Sequence, residues 1–203
     1  MTRCRRLMAR SGTIVMLAAL LCPLQSGAAE GEQTMMESRE YAGASAELPV
    51  AFRHPAAWRL QEERGRIDAY REVRLLGARN DDKTYTSSFV VRSAPLRSAG
   101  GRYGSLQELV AAYTTSGLHG GILLTEQSQT VAGVPAMDLI FSYRIPPLHH
   151  RGLVPKEIPV TTHAVLLEHD GRLYELLYSA DTRDYNRFTG EFDELLRSFR
   201  FQP

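Results

Sequence analysis

Cysteine is almost absent from this chain of 203 residues, because its two cysteines, Cys4 and Cys22, both fall within the first 22 positions. The rest of the chain can form no disulfide and no thiolate metal site, which excludes zinc ribbons and cysteine nucleophiles. No Gly-x-Ser-x-Gly elbow occurs. The glycines of residues 97–104 lack the Gly-Lys-Ser/Thr ending of a phosphate-binding loop. The sequence therefore predicts a protein that is not an enzyme, with no catalytic residue and no cofactor.

A strong charge of either sign is also missing. After residue 29 the chain carries 20 basic and 23 acidic residues, a net charge of −3. A mixed, weakly acidic surface argues against nucleic acid as a partner and against a polybasic membrane patch.

The N-terminal residues 1–29 have the three parts of a secretory signal peptide. Four arginines without an acid are followed by an apolar run over 13–24 and by small residues over 26–29. The apolar run is about a dozen residues long, whereas a bilayer-spanning helix needs about 20. We therefore predict export to the periplasm or the extracellular space, with no transmembrane segment after cleavage.

Three other interpretations of this N-terminal segment remain open. An uncleaved signal would act as a membrane anchor. A lipid anchor at Cys22 is disfavoured, because Leu21 stands where a lipobox requires a small residue and Pro23 follows. The Arg5-Arg6 pair fits a twin-arginine signal poorly.

The C-terminal region predicts a hairpin, a helix and a short strand in succession. Two apolar runs flank Asp170-Gly171, a dipeptide typical of a tight hairpin turn. Asp181 and Thr182 offer oxygens that can cap the start of a helix. An apolar stripe follows at helical spacing, formed by Tyr185, Phe188, Phe192, Leu195 and Phe199.

The middle of the chain predicts further strands and one helix in a single domain. Strand candidates are residues 50–54, 58–60, 66–79, 84–93, 121–131 and 136–145. The run Ser105-Leu-Gln-Glu108 is a capping box, which predicts a helix ending near Gly117. Residues 30–45 are polar and weakly patterned, so we expect a flexible lead-in there and one domain over 46–203. The single tryptophan, Trp58, is expected in the core.

The predicted loop 146–157 carries the candidate site residues. It contains His149, His150 and Arg151, and functional groups favour such loops. Because arginine is enriched at binding hot spots, these three residues are candidates for binding a protein partner. The alternative is a divalent metal held by His149 and His150 with His119, His163 or His169, although adjacent histidines diverge in an extended segment. We predict no resident metal site.

Several motifs together resemble the PsbP-like domain family. They are Phe52-Arg-His-Pro55 with Trp58, the capped helix at 105–109, the turn 131–136, the run 170–174 and the ending 192–201. The resemblance implies an α/β/α sandwich: a central antiparallel sheet of about six or seven strands with helices on both faces, as in PsbP and Mog proteins. It implies a mostly non-enzymatic family, whose photosynthetic members help photosystem II to retain calcium and chloride.

Two functions follow as expectations. The first is an exported, non-catalytic module that docks on an envelope or periplasmic protein through the loop 146–157. The second is an exported protein that binds a small ligand or a divalent metal, which requires a concave pocket with convergent polar groups.

Overall fold

The computed structural model describes residues 37–43, 45–65, 69–145 and 157–203. The predicted signal peptide and the candidates His149, His150 and Arg151 lie outside them. The described strands are β1 (Ser38–Ala42), β2 (Val50–Pro55), β3 (Arg59–Arg64), β4 (Arg71–Arg79), β5 (Thr86–Pro95), β6 (Ile122–Val131), β7 (Val134–Ile145), β8 (Ile158–His169), β9 (Arg172–Asp181) and β10 (Arg200–Phe201). The described helices are α1 (Leu106–Ser116) and α2 (Thr189–Ser198).

Seven strands form one antiparallel sheet in the order β3-β4-β5-β9-β8-β7-β6. Neighbours in the chain pair as hairpins on each side of the sheet, as the turn signals predict. The two halves join where β5 pairs with β9, for example Val91 opposite Leu176. The hairpin β8–β9 therefore lies at the centre, which confirms the sheet of about seven strands.

Helices cover the two faces of this sheet, which we call the α1 face and the α2 face. On β8, Ala164 and Leu166 pack in one core cluster with Leu109 of α1. Their neighbours Val165 and Leu167 pack in the other cluster with Phe192 of α2. Because successive side chains of a strand point to opposite faces, an apolar run on β8 serves two cores. The predicted α/β/α sandwich is confirmed.

Aromatic side chains dominate the core on the α2 face. The ring of Trp58 lies 4.3 Å from that of Phe89 and 5.2 Å from that of Phe188, with only 6% of Trp58 exposed. Gly77 allows this contact, since a Cβ atom there would come within 2.4 Å of the indole. Phe192 adds a further ring 5.5 Å from Phe89. The expected core position of Trp58 is confirmed.

The start of the last helix differs from the prediction. Asp181 ends β9, and a 3-10 turn over Tyr185–Phe188 precedes α2 at Thr189. The Asp181 carboxylate accepts from the backbone N–H and the guanidinium of Arg183 and from the Asn80 amide at 2.8 Å. The hydrogen bonds from Arg183, opposed by burial, lower the pKa of Asp181 to about 2. Asp181 therefore fixes the turn after β9 to the β4–β5 turn instead of capping α2.

The second described sheet has three strands in the order β1-β2-β10. The expectation of a flexible lead-in over 30–45 is wrong for residues 38–42, because β1 pairs with β2 along its whole length. Tyr41 supplies the reason, since its ring stacks on Phe52 at 4.9 Å and only 8% of the residue is exposed. Within the described ranges, no helix is both long and apolar enough to cross a membrane.

Candidate functional site

A cleft of about 260 Å³ opens on the α1 face, between the edge of α1 and the neighbouring strands. Helix α1 forms one wall through Leu109, Ala112 and Tyr113, while β5 and β9 form the floor. The segments before and after the helix also line the cleft, through Tyr103 and Leu118.

Local hydrogen bonds fix the position of α1 beside this cleft. The Ser105 hydroxyl accepts from the backbone N–H of Glu108 at 3.2 Å, as the capping box predicts. The Glu108 carboxylate reaches back to the N–H of Gly104 at 2.8 Å. Arg97 bonds to that carboxylate and to the carbonyl of Arg102 at 3.0 Å. These contacts hold Arg102 and Tyr103 at the mouth of the cleft.

The floor of the cleft is built on a row of charged residues across three strands. Glu72 on β4 lies directly opposite Arg92 on β5, which lies directly opposite Glu175 on β9. The Nε and Nη2 atoms of Arg92 donate to Glu72 Oε2 at 2.9 and 2.7 Å. On the other side, Arg92 Nη1 lies 3.5 Å from Glu175 Oε1. Opposite charges on directly paired strands stabilise each other.

A second arginine balances the row. Arg74 donates from Nε and Nη2 to Glu72 Oε1 at 3.0 and 2.6 Å, so both oxygens of Glu72 are bonded. Only 1% of Glu72 is exposed. The charges of Glu72 and Glu175 are thereby matched by those of Arg74 and Arg92. Burial opposes the charge on Arg92, but the carboxylates of Glu175 and Glu72 outweigh it and raise the pKa of Arg92.

The aromatic residues of the cleft are tied to this row. The hydroxyl of Tyr113 donates to Glu175 Oε2. Burial, reinforced by the neighbouring Glu175 carboxylate, raises the pKa of Tyr113 well above its ordinary value, so the phenol stays protonated. The guanidinium carbon of Arg92 lies 4.8 Å from the centre of the Tyr70 ring, within cation–π distance. The polar floor is thus held rigidly by packed neighbours.

The sequence predicted only part of this site. The capping box predicted helix α1, which carries Leu109 and Tyr113 into the cleft. The charged row was missed, although it leaves a signal in the sequence. Arg92 and Glu175 each interrupt an apolar strand, as in Phe89-Val-Val-Arg92. A charge within a central strand needs a partner, because an isolated buried charge is very costly.

The histidines considered for a metal lie in separate surroundings. His163 bonds to Asp138 at 2.7 Å, and His169 stacks on Phe201 at 3.8 Å between ring centres. His119 is exposed beside Tyr143 and lines the cleft. Among the described residues, no three histidine, cysteine, aspartate or glutamate side chains are grouped to hold a metal.

Comparison with known proteins identifies the fold. No family model matches the chain, and no curated protein matches it. The solution structure of cyanobacterial PsbP (CyanoP) from Synechocystis sp. PCC 6803 superposes with a TM-score of 0.53 at 13% identity, covering 84% of this chain and 96% of that one. The fold is PsbP-like.

A second solved structure supports the PsbP-like fold. LpqN, described as involved in cell envelope biogenesis of Mycobacterium tuberculosis, superposes with a TM-score of 0.52 at 15% identity. The match covers 82% of this chain and 91% of LpqN. At such identities the likeness establishes the fold, while function depends on the site.

Proposed function

We propose that this PsbP-like chain is an exported, non-catalytic module that binds a small ligand in the cleft beside α1. The observation that carries the proposal is the cleft itself, with an apolar wall on one side and a fixed polar floor on the other. Small-molecule sites typically combine a mostly apolar lining with a few precisely held polar groups. Export is supported by the signal-like residues 1–29, and the cell-envelope role in the description of LpqN is consistent with it.

The bonding of the floor supports a role in binding over one in catalysis. A general base or a nucleophile needs a carboxylate that is free to accept a proton or attack a substrate. Both oxygens of Glu72 are occupied by guanidinium groups, and Glu175 accepts from Tyr113. These hydrogen bonds therefore fix the positions of the two carboxylates.

Filling the cleft should weaken ligand binding without unfolding the protein. Ala112 lines the cleft, whereas its neighbour Ala111 is exposed on the outside of α1. We expect Ala112→Phe to weaken the fragments that bind the wild type by at least about tenfold, which corresponds to about 1.4 kcal/mol. The measurement is a screen of a general fragment library by saturation-transfer NMR, followed by titration of the hits.

Ala111→Phe is the matched control, because it adds the same ring to the same helix outside the cleft. It should bind every hit as the wild type does, and both variants should melt near the wild-type temperature. Hits that bind equally well to both variants would place their site elsewhere and contradict the proposal.

A second candidate function is docking on an envelope or periplasmic protein. It is favoured by β6, an edge strand on which Ile122 and Leu124 are 71% and 58% exposed. An edge strand with exposed apolar side chains is a ready surface for another chain. The loop candidates His149, His150 and Arg151 stay part of this second proposal.

Docking should depend on that edge and that loop. The mature, tagged protein would be cross-linked in the envelope of its native host, and partners would be quantified by mass spectrometry. We expect Ile122→Glu with Leu124→Glu, and separately the alanine replacements of His149, His150 and Arg151, to reduce recovery of one stoichiometric partner by at least about tenfold. Leu60→Glu on the opposite edge strand β3 is the control and should leave recovery unchanged. Equal recovery from all variants would overturn this candidate.

A further inference from the structure

The charge balance of the cleft floor indicates what kind of ligand it accepts. We propose that the cleft selects uncharged amphipathic compounds whose polar group both donates and accepts a hydrogen bond, as a carboxamide or an alcohol does. This inference rests on the proposed ligand-binding function and adds the chemical class.

Two atoms of the cleft floor have hydrogen-bonding capacity left for a ligand. Within the described part of the chain, Arg92 Nη1 and Glu175 Oε1 have each other as their nearest ionic partners, at 3.5 Å. Charge-assisted bonds between such groups are usually 2.7–2.9 Å long, so this contact is stretched. Both residues line the cleft. A ligand group placed against them must accept from Nη1 and donate to Oε1.

The charges of the cleft floor disfavour a charged ligand group. Glu72 and Arg74 lie outside the lining of the cleft, whose floor presents one charge of each sign, the Arg92 guanidinium and the Glu175 carboxylate. An anionic ligand group at this point would face the Glu175 carboxylate, and a cationic one would face the Arg92 guanidinium. Like charges repel strongly where burial lowers the effective dielectric constant. The cationic side chain of Arg102 lies at the exposed mouth, where solvent and salt screen it.

The apolar wall of the cleft favours a ligand with an apolar body. Leu109 and Ala112 of α1, Leu118 after it and Leu173 of β9 supply apolar surface around the polar floor. Burying apolar atoms there is favourable in proportion to the area removed from water. A purely polar ligand would leave this wall unused, and a purely apolar one would cover Nη1 and Oε1 with only their stretched contact of 3.5 Å between them.

The test uses five fragments with one benzene ring and different substituents: benzamide, benzyl alcohol, benzoate, benzylamine and toluene. Affinities would be measured from shifts of the backbone amides of Ala112 and Gly117 in ¹⁵N–¹H spectra of the full chain. We expect benzamide or benzyl alcohol to bind at least about tenfold more tightly than the other three, the typical cost of an unpartnered buried polar group.

The variant Glu175→Gln tests the charge preference of the cleft directly. The variant leaves two guanidinium groups facing one carboxylate, while glutamine can still accept from Tyr113. Benzoate should therefore gain at least about tenfold relative to benzylamine, since a fixed charge within hydrogen-bonding distance shifts affinity by this order or more. The control is Glu191→Gln, which removes the same charge from helix α2, outside the cleft lining, and should leave the ranking of the fragments unchanged.

The outcomes separate this inference from the proposed function. If none of the five fragments perturbs the cleft amides, and a general library also gives no hits there, the proposed function fails. If benzoate or benzylamine binds wild type most tightly, or toluene binds as well as benzamide, ligand binding stands and the inferred class is wrong. If Glu175→Gln leaves the ratio of benzoate to benzylamine unchanged, the charge argument is overturned.

Discussion

Replacing Glu72 by alanine is expected to lower the free energy of unfolding by about 3 kcal/mol, as measured by urea denaturation. Glu72 is 1% exposed and accepts four hydrogen bonds from Arg74 and Arg92. Removing it leaves two guanidinium groups beside each other without their shared carboxylate. The effect should fall at the lower end of the range for broken buried pairs, because side-chain exposures of 39% and 28% let both arginines reach water.

Two further variants decide whether the charged row is the cause. A double-mutant cycle of Glu72→Ala with Arg92→Ala is expected to give a coupling free energy of about 1–3 kcal/mol. Glu40→Ala breaks a pair with Arg200 in which both side chains are about half exposed, and it should cost about 1 kcal/mol or less. A coupling below about 0.5 kcal/mol would show that the row is solvated, and it would weaken the ligand argument built on it.

The sequence predicted well those structural features that depend on residues close together in the chain. Hairpins follow from turn dipeptides such as Asp170-Gly171, and α1 follows from the Ser105 cap, because these interactions join residues a few positions apart. The position of Trp58 also followed, since a large apolar ring beside a turn has few places to go other than the core. The PsbP-like fold was inferred from the order of such local signals.

What the sequence did not predict depends on pairing between distant segments. The contact of β5 with β9 joins Arg92 to Glu175, and nothing near either residue specifies the other. Tyr41 fixes β1 only because Phe52 lies beneath it. Asp181 is of a residue type that often caps helices. In the structure it instead accepts hydrogen bonds from the distant Asn80 and the nearby Arg183, and so joins two turns. A cleft floor made from three strands is therefore visible only once the sheet order is known.

The opposite face of the sheet provides the other large expected effect. Phe192→Ala should lower the free energy of unfolding by about 3–5 kcal/mol, the usual cost of truncating a buried phenylalanine. Phe192 is 1% exposed, and its ring lies 5.0 Å from that of His163 and 5.7 Å from that of Tyr178. The cavity would open between α2 and rigid central strands, which cannot close around it. Chemical denaturation gives the value, and a loss under about 1 kcal/mol would mean that α2 is not held by this ring.

The same variant tests whether core and cleft are independent. Ile122→Ala is the stability control, because its side chain is largely exposed and its loss should change the free energy of unfolding by about 0.5 kcal/mol or less. Since Phe192 packs on the α2 face and the cleft lies on the α1 face, folded Phe192→Ala should bind benzamide with wild-type affinity. Alternation along β9 places Tyr178 on one face and Glu175 on the other, so the stabilising core and the binding floor share strands without sharing side chains. A large fall in benzamide affinity would instead show that the two faces are coupled through the sheet.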